Sequence, residues 1–192
     1  MSIAQRGRSL SVTGFLLAGA IGIISSTQTW FTVQRADAGE DILVPGASAL
    51  VLLAPLSLAV LALGAALAIA GRAVRLVFGV LAAAAAVFLG WSTLQVLLGD
   101  AYGAVAATVT ETTGLAGSGA VHEVAASIIP SVWPYLALGG WVILLAAAVL
   151  VLTTWRRWKV GGRRYRTDAP HDGPVDAVDS WDELSRGSDP TR

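Results

Sequence analysis

Side chains that commonly carry out catalysis or bind metals are scarce in this chain. It contains no cysteine and only two histidines, His122 and His171. The lack of cysteine excludes disulfides, thiolate metal sites and cysteine nucleophiles. His122 is followed by Glu123, a pair that could titrate near neutral pH, although a solvated surface is the simpler interpretation. Because we find no nucleophile–base pair, metal-ligand cluster or phosphate-binding glycine loop, we expect neither an enzyme nor a cofactor or metal site.

Amide, hydroxyl and indole side chains form a more informative set. Gln28 and Gln95 each lie near the end of a long apolar segment, and two segments that run in the same direction would bring both amides to a similar depth. A buried amide needs a hydrogen-bond partner. Neighbouring helices could supply it, or the amides could line a polar cleft open to the outer surface. This candidate outer polar layer consists of Gln28, Trp30, Trp91, Ser92, Thr93 and Gln95.

The end of the chain, residues 167–192, carries seven acidic residues against two arginines, a composition typical of a disordered tail. Ser180 followed by Glu183 matches a capping box for one helical turn. An isolated tryptophan and leucine in such a tail indicate a short motif that orders on a protein partner, or a tryptophan that rests on the membrane surface. The candidate partner-binding residues are Trp181, Asp182, Glu183, Leu184, Asp189 and Pro190.

The preceding segment, residues 155–166, is basic and has no acidic residue. Next to a membrane, each such cation attracts anionic headgroups by about 1 kcal/mol. The candidate lipid-contact residues are Arg156, Arg157, Lys159, Arg163, Arg164 and Arg166.

Four apolar segments must position these groups. The mean hydropathy is +0.67, and the 14% charged residues fall well below the ~25% of soluble domains. At ~1.5 Å per residue each segment can cross a ~30 Å hydrocarbon core. We therefore predict an all-α membrane protein, a four-transmembrane-helix bundle. The predicted helices cover residues 10–30, 47–70, 76–98 and 133–154.

Basic residues predict the orientation of the bundle. Two lie in the start, 1–9, two in the turn 71–75, and six in 155–166, whereas Arg35 is alone among the remaining loops. Short cytoplasmic loops carry the Lys/Arg excess. We therefore expect both termini on the cytoplasmic side of the membrane that the helices cross.

Loops 31–46 and 99–132 would then form a small extracytoplasmic cap. The first has two β-branched stretches around a turn and predicts a β-hairpin. The second predicts short helices over 101–109 and 120–129. Trp30 would lie in the interfacial aromatic belt, and Pro55 would kink the second helix.

Small residues recur every four positions in the first helix. Gly14, Ala18, Gly22 and Ser26 would form one stripe on which a neighbouring helix can approach closely. The stripe fits packing inside the bundle, or alternatively the seam of a homo-oligomer.

The chain resembles a family, the tryptophan-associated (trp operon-associated) transmembrane proteins of high-GC bacteria. The residues that carry the resemblance are Gln28-Thr29-Trp30, Gly46-Ala47, Pro55-Leu56, Arg164-Tyr165 and the tail from Trp181 to Thr191. The resemblance implies a four-helix, multi-pass protein of the bacterial plasma (inner) membrane with a loose association with tryptophan metabolism. It supplies no catalytic residues.

The expected function is therefore that of an interaction or scaffold protein whose tail docks a cytosolic or membrane protein partner. The alternative is a small transporter or transporter accessory for an aromatic metabolite. Ion-coupled carriers usually need a charged residue inside a span, and no predicted span has one. Nucleic acid is not an expected partner, because the basic segment adjoins the lipid bilayer.

The predicted orientation can be tested by labelling single cysteines in a chain that has none of its own. Ser118→Cys should react with a membrane-impermeant thiol reagent in intact cells, and Asp176→Cys should react only after the cells are opened. The reverse pattern would invert the orientation.

Overall fold

The computed structural model describes residues 3–37, 39–99, 101–114 and 118–157. Helices account for most of these residues, and three strands form one sheet. In chain order the elements are α1 (Ile3–Thr27), β1 (Thr29–Arg35), β2 (Ile42–Pro45), α2 (Gly46–Ala49), α3 (Leu53–Leu67), α4 (Arg72–Leu98), α5 (Ala101–Thr113), α6 (Ser118–Val124), β3 (Ala125–Pro130), α7 (Trp133–Thr154) and a 3₁₀ turn (Trp155–Arg157).

Three of the helices contain segments long and apolar enough to cross a membrane. These segments are Gly7–Thr27, Ala73–Leu98 and Trp133–Thr154, with mean hydropathies of 1.7, 2.2 and 2.5. The fourth, α3, has 15 residues and rises about 22 Å, less than a ~30 Å hydrocarbon core. The bundle therefore consists of three full-length helices and one shorter apolar helix.

The shorter helix corrects the prediction of one continuous helix over 47–70. The chain forms the single turn α2, becomes extended at Leu50, and starts again at Leu53. Pro55 is the third residue of α3. In the first turn of a helix the N–H groups have no partner within the helix, so the proline displaces no hydrogen bond. Pro55 therefore lies just inside a helix start, and the predicted kink is wrong.

The connection between α3 and α4 is also shorter than expected. Helix α4 starts at Arg72, so the connecting residues are 68–71 and not the predicted turn 71–75. Arg75 consequently lies in the first turn of α4, where it is only 4% exposed.

Helix α7 packs along both α1 and α4, and helix α1 packs along both α7 and α3. The small-residue stripe of α1 forms these contacts. A Cβ added at Gly14 would lie 2.7 Å from Cβ of Ala147 in α7, and Ala18 is fully buried. The stripe is thus used inside the bundle, which matches the simpler of its two interpretations.

The sheet has the order β2-β1-β3, and both pairs are antiparallel. In the central strand, Phe31 lies opposite Val44 and Pro130, and Val33 lies opposite Ile42 and Ile128. The expected hairpin is therefore present as β1 and β2, and a third strand extends it.

The third strand corrects the helix predicted over 120–129. Helix α6 ends at Val124, and Ala125–Pro130 pairs with β1. Two consecutive β-branched residues, Ile128 and Ile129, favour an extended chain, and Pro130 cannot continue a helix. The description "all-α" is incomplete for the same reason.

A two-residue ion pair organises the turn of the hairpin. Arg35 donates from Nε to Oδ1 of Asp37 (2.9 Å) and from Nη2 to Oδ2 (2.5 Å), and the backbone N–H of Gly39 donates to Oδ1 (3.1 Å). The hydrogen bond from Arg35, followed by that from Gly39, lowers the pKa of Asp37 to about 2. The same pair raises the pKa of Arg35.

Connectivity places one end of every bundle helix beside the sheet. The C-terminal end of α1 leads into β1, β2 leads into α3, β3 leads into α7, and α4 leads into α5. Arg8, Arg75 and Arg156 consequently lie at the opposite end of the bundle.

The close packing of α1 can be tested by adding one methyl group. A Cβ at Gly22 would lie 2.2 Å from Oγ of Ser57 and 2.7 Å from Cη2 of Trp141. We expect Gly22→Ala to lower the free energy of unfolding by about 1–3 kcal/mol, as overpacking does. The measurement is reversible unfolding in detergent micelles. Gly139→Ala is the matched control, because a Cβ there meets no atom within 4 Å. Equal stabilities of the two variants would contradict the packing.

Candidate functional site

The end of α1 next to the sheet holds a buried polar junction around Trp30. Its indole Nε1 donates to the backbone oxygen of Ser25 (3.0 Å) and to the Ser25 hydroxyl (2.9 Å). That hydroxyl in turn donates to the backbone oxygen of Trp133 (3.3 Å), the first residue of α7. We call Ser25, Trp30 and Trp133 the Trp30 junction.

Gly46 allows the junction to close. Its N–H donates to the backbone oxygen of Gln28 (3.0 Å), and a Cβ there would lie 2.6 Å from Nε1 of Trp30. Trp30 is 0% exposed, so its predicted place in an interfacial belt is wrong. The backbone oxygen of Ser25 in the last turn of α1 accepts from the N–H of Gln28 (3.2 Å), and the indole is its second donor.

A second polar layer crosses the bundle farther from the sheet. Trp141 of α7 donates from Nε1 to the hydroxyl of Thr93 in α4 (3.2 Å). Ser57 of α3 donates to the backbone oxygen of Leu53 (2.6 Å), and Gly22 of α1 lies against both Ser57 and Trp141. These four residues, the Trp141 layer, bring one position from each bundle helix together.

The Trp141 layer is closed to ligands. Trp141 is 2% exposed, and Thr93 and Ser57 are 0% exposed. Each of their side chains already has a hydrogen-bond partner, and none of them is an acid or base near neutral pH. The layer can hold helices together, but it offers no group for proton transfer or nucleophilic attack.

The structure does not bring the predicted outer polar layer together. Thr93 is buried in the Trp141 layer and Trp30 in the Trp30 junction, whereas Trp91 is 62% exposed on the outer face of α4. Gln28 donates to the Thr27 hydroxyl (3.5 Å). Ser92 is half-buried and Gln95 is exposed. Gln28 lies between α1 and β1, whereas Gln95 lies in α4, and α1 and α4 each pack along α7.

The only histidine that the structure describes lies in the cap. His122 of α6 stacks on Tyr102 of α5, with ring centroids 3.9 Å apart and ring planes 9° apart. Glu123 beside it is exposed. Within the described ranges, no group of three or more His, Asp or Glu side chains is arranged to hold a metal ion. His122 therefore joins two cap helices through its ring.

Of the predicted lipid-contact residues, the structure describes the side chain of Arg156. It is exposed, and its guanidinium lies 5.1 Å from the centroid of the Trp155 ring. Arg157 ends the 3₁₀ turn. Lys159, Arg163, Arg164, Arg166 and all the tail motif residues lie outside the described residues.

One open groove lies between α3 and α4. Its volume is about 420 Å³, and its walls are aliphatic, including Leu56, Leu63 and Leu81. No polar side chain projects into it from the residues that line it. The groove can accommodate apolar groups, but its lining has no side chain that could act as an acid, a base or a nucleophile.

Long apolar helices, hydrogen-bonded hydroxyls and indoles between them, and a sheet at one end define a helical integral membrane protein. The chain belongs to a family described as tryptophan-associated transmembrane protein, which matches residues 12–191. The match confirms the resemblance found in the sequence. No curated protein and no solved structure matches the chain.

The Trp141–Thr93 hydrogen bond can be measured with a double-mutant cycle of Thr93→Val, Trp141→Phe and the double variant. We expect a coupling free energy of about 0.6–1.7 kcal/mol, the range found for hydrogen bonds between membrane helices. Each single change leaves one buried polar atom without its partner, so the double variant should lose less stability than the sum. Additive losses would show that the two side chains do not interact.

Proposed function

We propose that this protein is a multi-pass plasma-membrane interaction protein, loosely associated with tryptophan metabolism, whose C-terminal tail docks a cytosolic partner. The family description supports membrane residence and the metabolic association. The observation that carries the proposal is the closed interior of the bundle. The polar side chains of the Trp141 layer are already hydrogen-bonded to one another or to the backbone. We therefore assign the bundle the role of a membrane anchor for the segments at its ends.

The orientation of the proposed anchor follows from charge. At the end away from the sheet, the arginines whose side chains the structure describes are Arg8, Arg75 and Arg156, and Arg156 belongs to the basic segment 155–166. Arg35 near the sheet is ion-paired to Asp37. Since cytoplasmic ends carry the basic excess, the sheet is the extracytoplasmic cap and both termini are cytoplasmic.

The tail motif supports a docking role through its composition. Trp181 and Leu184 are large apolar side chains in an otherwise acidic segment. Aromatic and aliphatic anchors of this kind supply most of the binding free energy in short-motif recognition. A tail tied to the membrane at its basic stem would hold its partner near the membrane surface.

The transporter alternative rested on the candidate outer polar layer. Trp30 lies in the Trp30 junction and Thr93 in the Trp141 layer, while Trp91 and Gln95 are exposed on α4, so these side chains do not line a common path. No enzymatic role is proposed, because the described residues offer no acid–base or nucleophilic arrangement.

The docking proposal can be tested by in-cell cross-linking and co-purification. The full chain should retain a cytosolic protein that is lost from a chain ending at Arg166 and from the double variant Trp181→Ala/Leu184→Ala. The matched control is Val175→Ala/Val178→Ala, which trims two apolar side chains outside the motif and should keep the partner. A set of captured proteins that is identical in all four chains would contradict the docking role.

A further inference from the structure

A hollow at the end of the bundle away from the sheet has polar and charged side chains in its lining, unlike the apolar groove between α3 and α4. It has a volume of about 330 Å³ and lies between the start of α1 and the end of α3. Its lining is Arg8, Ser9, Val12, Thr13 and Ala68. We propose that this hollow binds the phosphate group of one anionic phospholipid headgroup. The proposal does not depend on the tail or on its partner.

The depth of the hollow fits a headgroup. The membrane-spanning segment of α1 begins at Gly7, so Arg8 lies at its polar boundary and Thr13 lies one to two turns inside. The side chains of Arg8, Ser9 and Thr13 are all exposed. A phosphate of the surrounding bilayer therefore lies at the level of the hollow and has open access to it.

The guanidinium of Arg8 is held in place at the edge of the hollow. Its Nη2 donates to the backbone oxygen of Ala68, the residue that follows the last turn of α3. A cation is favourable at this helix end, where the carbonyl groups carry partial negative charge. A guanidinium has five N–H donors, and its planar fork matches the oxygens of a phosphate. Fixing the group on Ala68 leaves further donors for a ligand.

Ser9 and Thr13 complete a donor set. They are four residues apart in α1 and so lie on the same face of the helix, one turn above the other. The structure gives no hydrogen bond for either hydroxyl with the described residues, whereas Ser11 on another face donates to the backbone oxygen of Gly7 (2.9 Å). Two hydroxyls and one guanidinium converge on one hollow, which suits a phosphate diester with several acceptor oxygens.

Charge and apolar lining favour a lipid as the source of the phosphate. The helices α1, α3, α4 and α7 contain no aspartate or glutamate, so no bundle helix offers Arg8 a carboxylate. Val12 lines the hollow, and Leu16, 38% exposed, follows one turn deeper on the same face of α1. The lining thus changes from cationic to hydroxyl to aliphatic with depth. This order complements a phospholipid, whose anionic headgroup lies above its acyl chains.

The test uses the full chain in nanodiscs of phosphatidylcholine with and without phosphatidylglycerol, and native mass spectrometry counts the anionic lipid retained. The wild type should retain one phosphatidylglycerol. Arg8→Gln should weaken its retention about tenfold or more, the effect of losing a hydrogen bond to a charged group. Ser9→Ala/Thr13→Val, which leaves the Arg8–Ala68 contact in place, should also weaken it. Arg72→Gln, which removes an arginine at the start of α4 at the same end of the bundle, is the control and should retain the lipid.

Three results would overturn the site. Equal losses of the lipid in Arg8→Gln and Arg72→Gln would mean that basic charge in general, and not this hollow, attracts the lipid. Unchanged retention of the lipid in Ser9→Ala/Thr13→Val would show that the two hydroxyls do not bind the headgroup. Inorganic phosphate that raises the melting temperature in phosphatidylcholine discs as much as phosphatidylglycerol does would point to a free anion and not to a lipid.

Discussion

The Trp30 junction is the contact on which the rest of this structure depends. Hydrocarbon offers no partner for a polar group, so a helix that ends near the membrane must find internal partners for its last carbonyls. Here the indole of Trp30 turns back onto Ser25, and the Ser25 hydroxyl reaches the start of α7. These two side chains thereby connect the end of α1, the first strand and the beginning of the last helix, and Gly46 allows the indole to lie against the backbone.

This connection explains why the protein has a structured cap and only three full-length helices. Once β1 is anchored at the end of α1, β2 and β3 can pair with it on either side, and the chain returns to the bundle through α2 and α7. The residues used in that return leave α3 with 15 residues. Its interior partners are the small and hydroxyl side chains of the Trp141 layer, which hold the helices without a charge between them.

Local composition predicted much of the bundle but little of the junction. The apolar runs predicted α1, α4 and α7, and the spacing of Gly14, Ala18 and Gly22 predicted close packing, because both signals depend on residues near one another in the chain. The break before α3 and the strand Ala125–Pro130 depend on pairing with β1, whose partner in β3 is almost 100 residues away. Trp30 and Thr93 appeared in one predicted layer because depth can be estimated from sequence, whereas the side of a helix that faces a particular neighbour cannot. The hydroxyl Ser25, five residues before Trp30, was the one local signal for the buried indole.

The most direct test of this account is the rate of hydrogen exchange at the indole N–H groups, measured by NMR on the chain in lipid nanodiscs with ¹⁵N-labelled tryptophan. Seven indole signals are expected, and Trp30→Phe assigns the signal of interest. The Trp30 junction predicts that the Trp30 indole exchanges far more slowly than that of Trp155 at the opposite end of the bundle. Exchange at the same rate as Trp155 would place Trp30 in the membrane interface and contradict the junction.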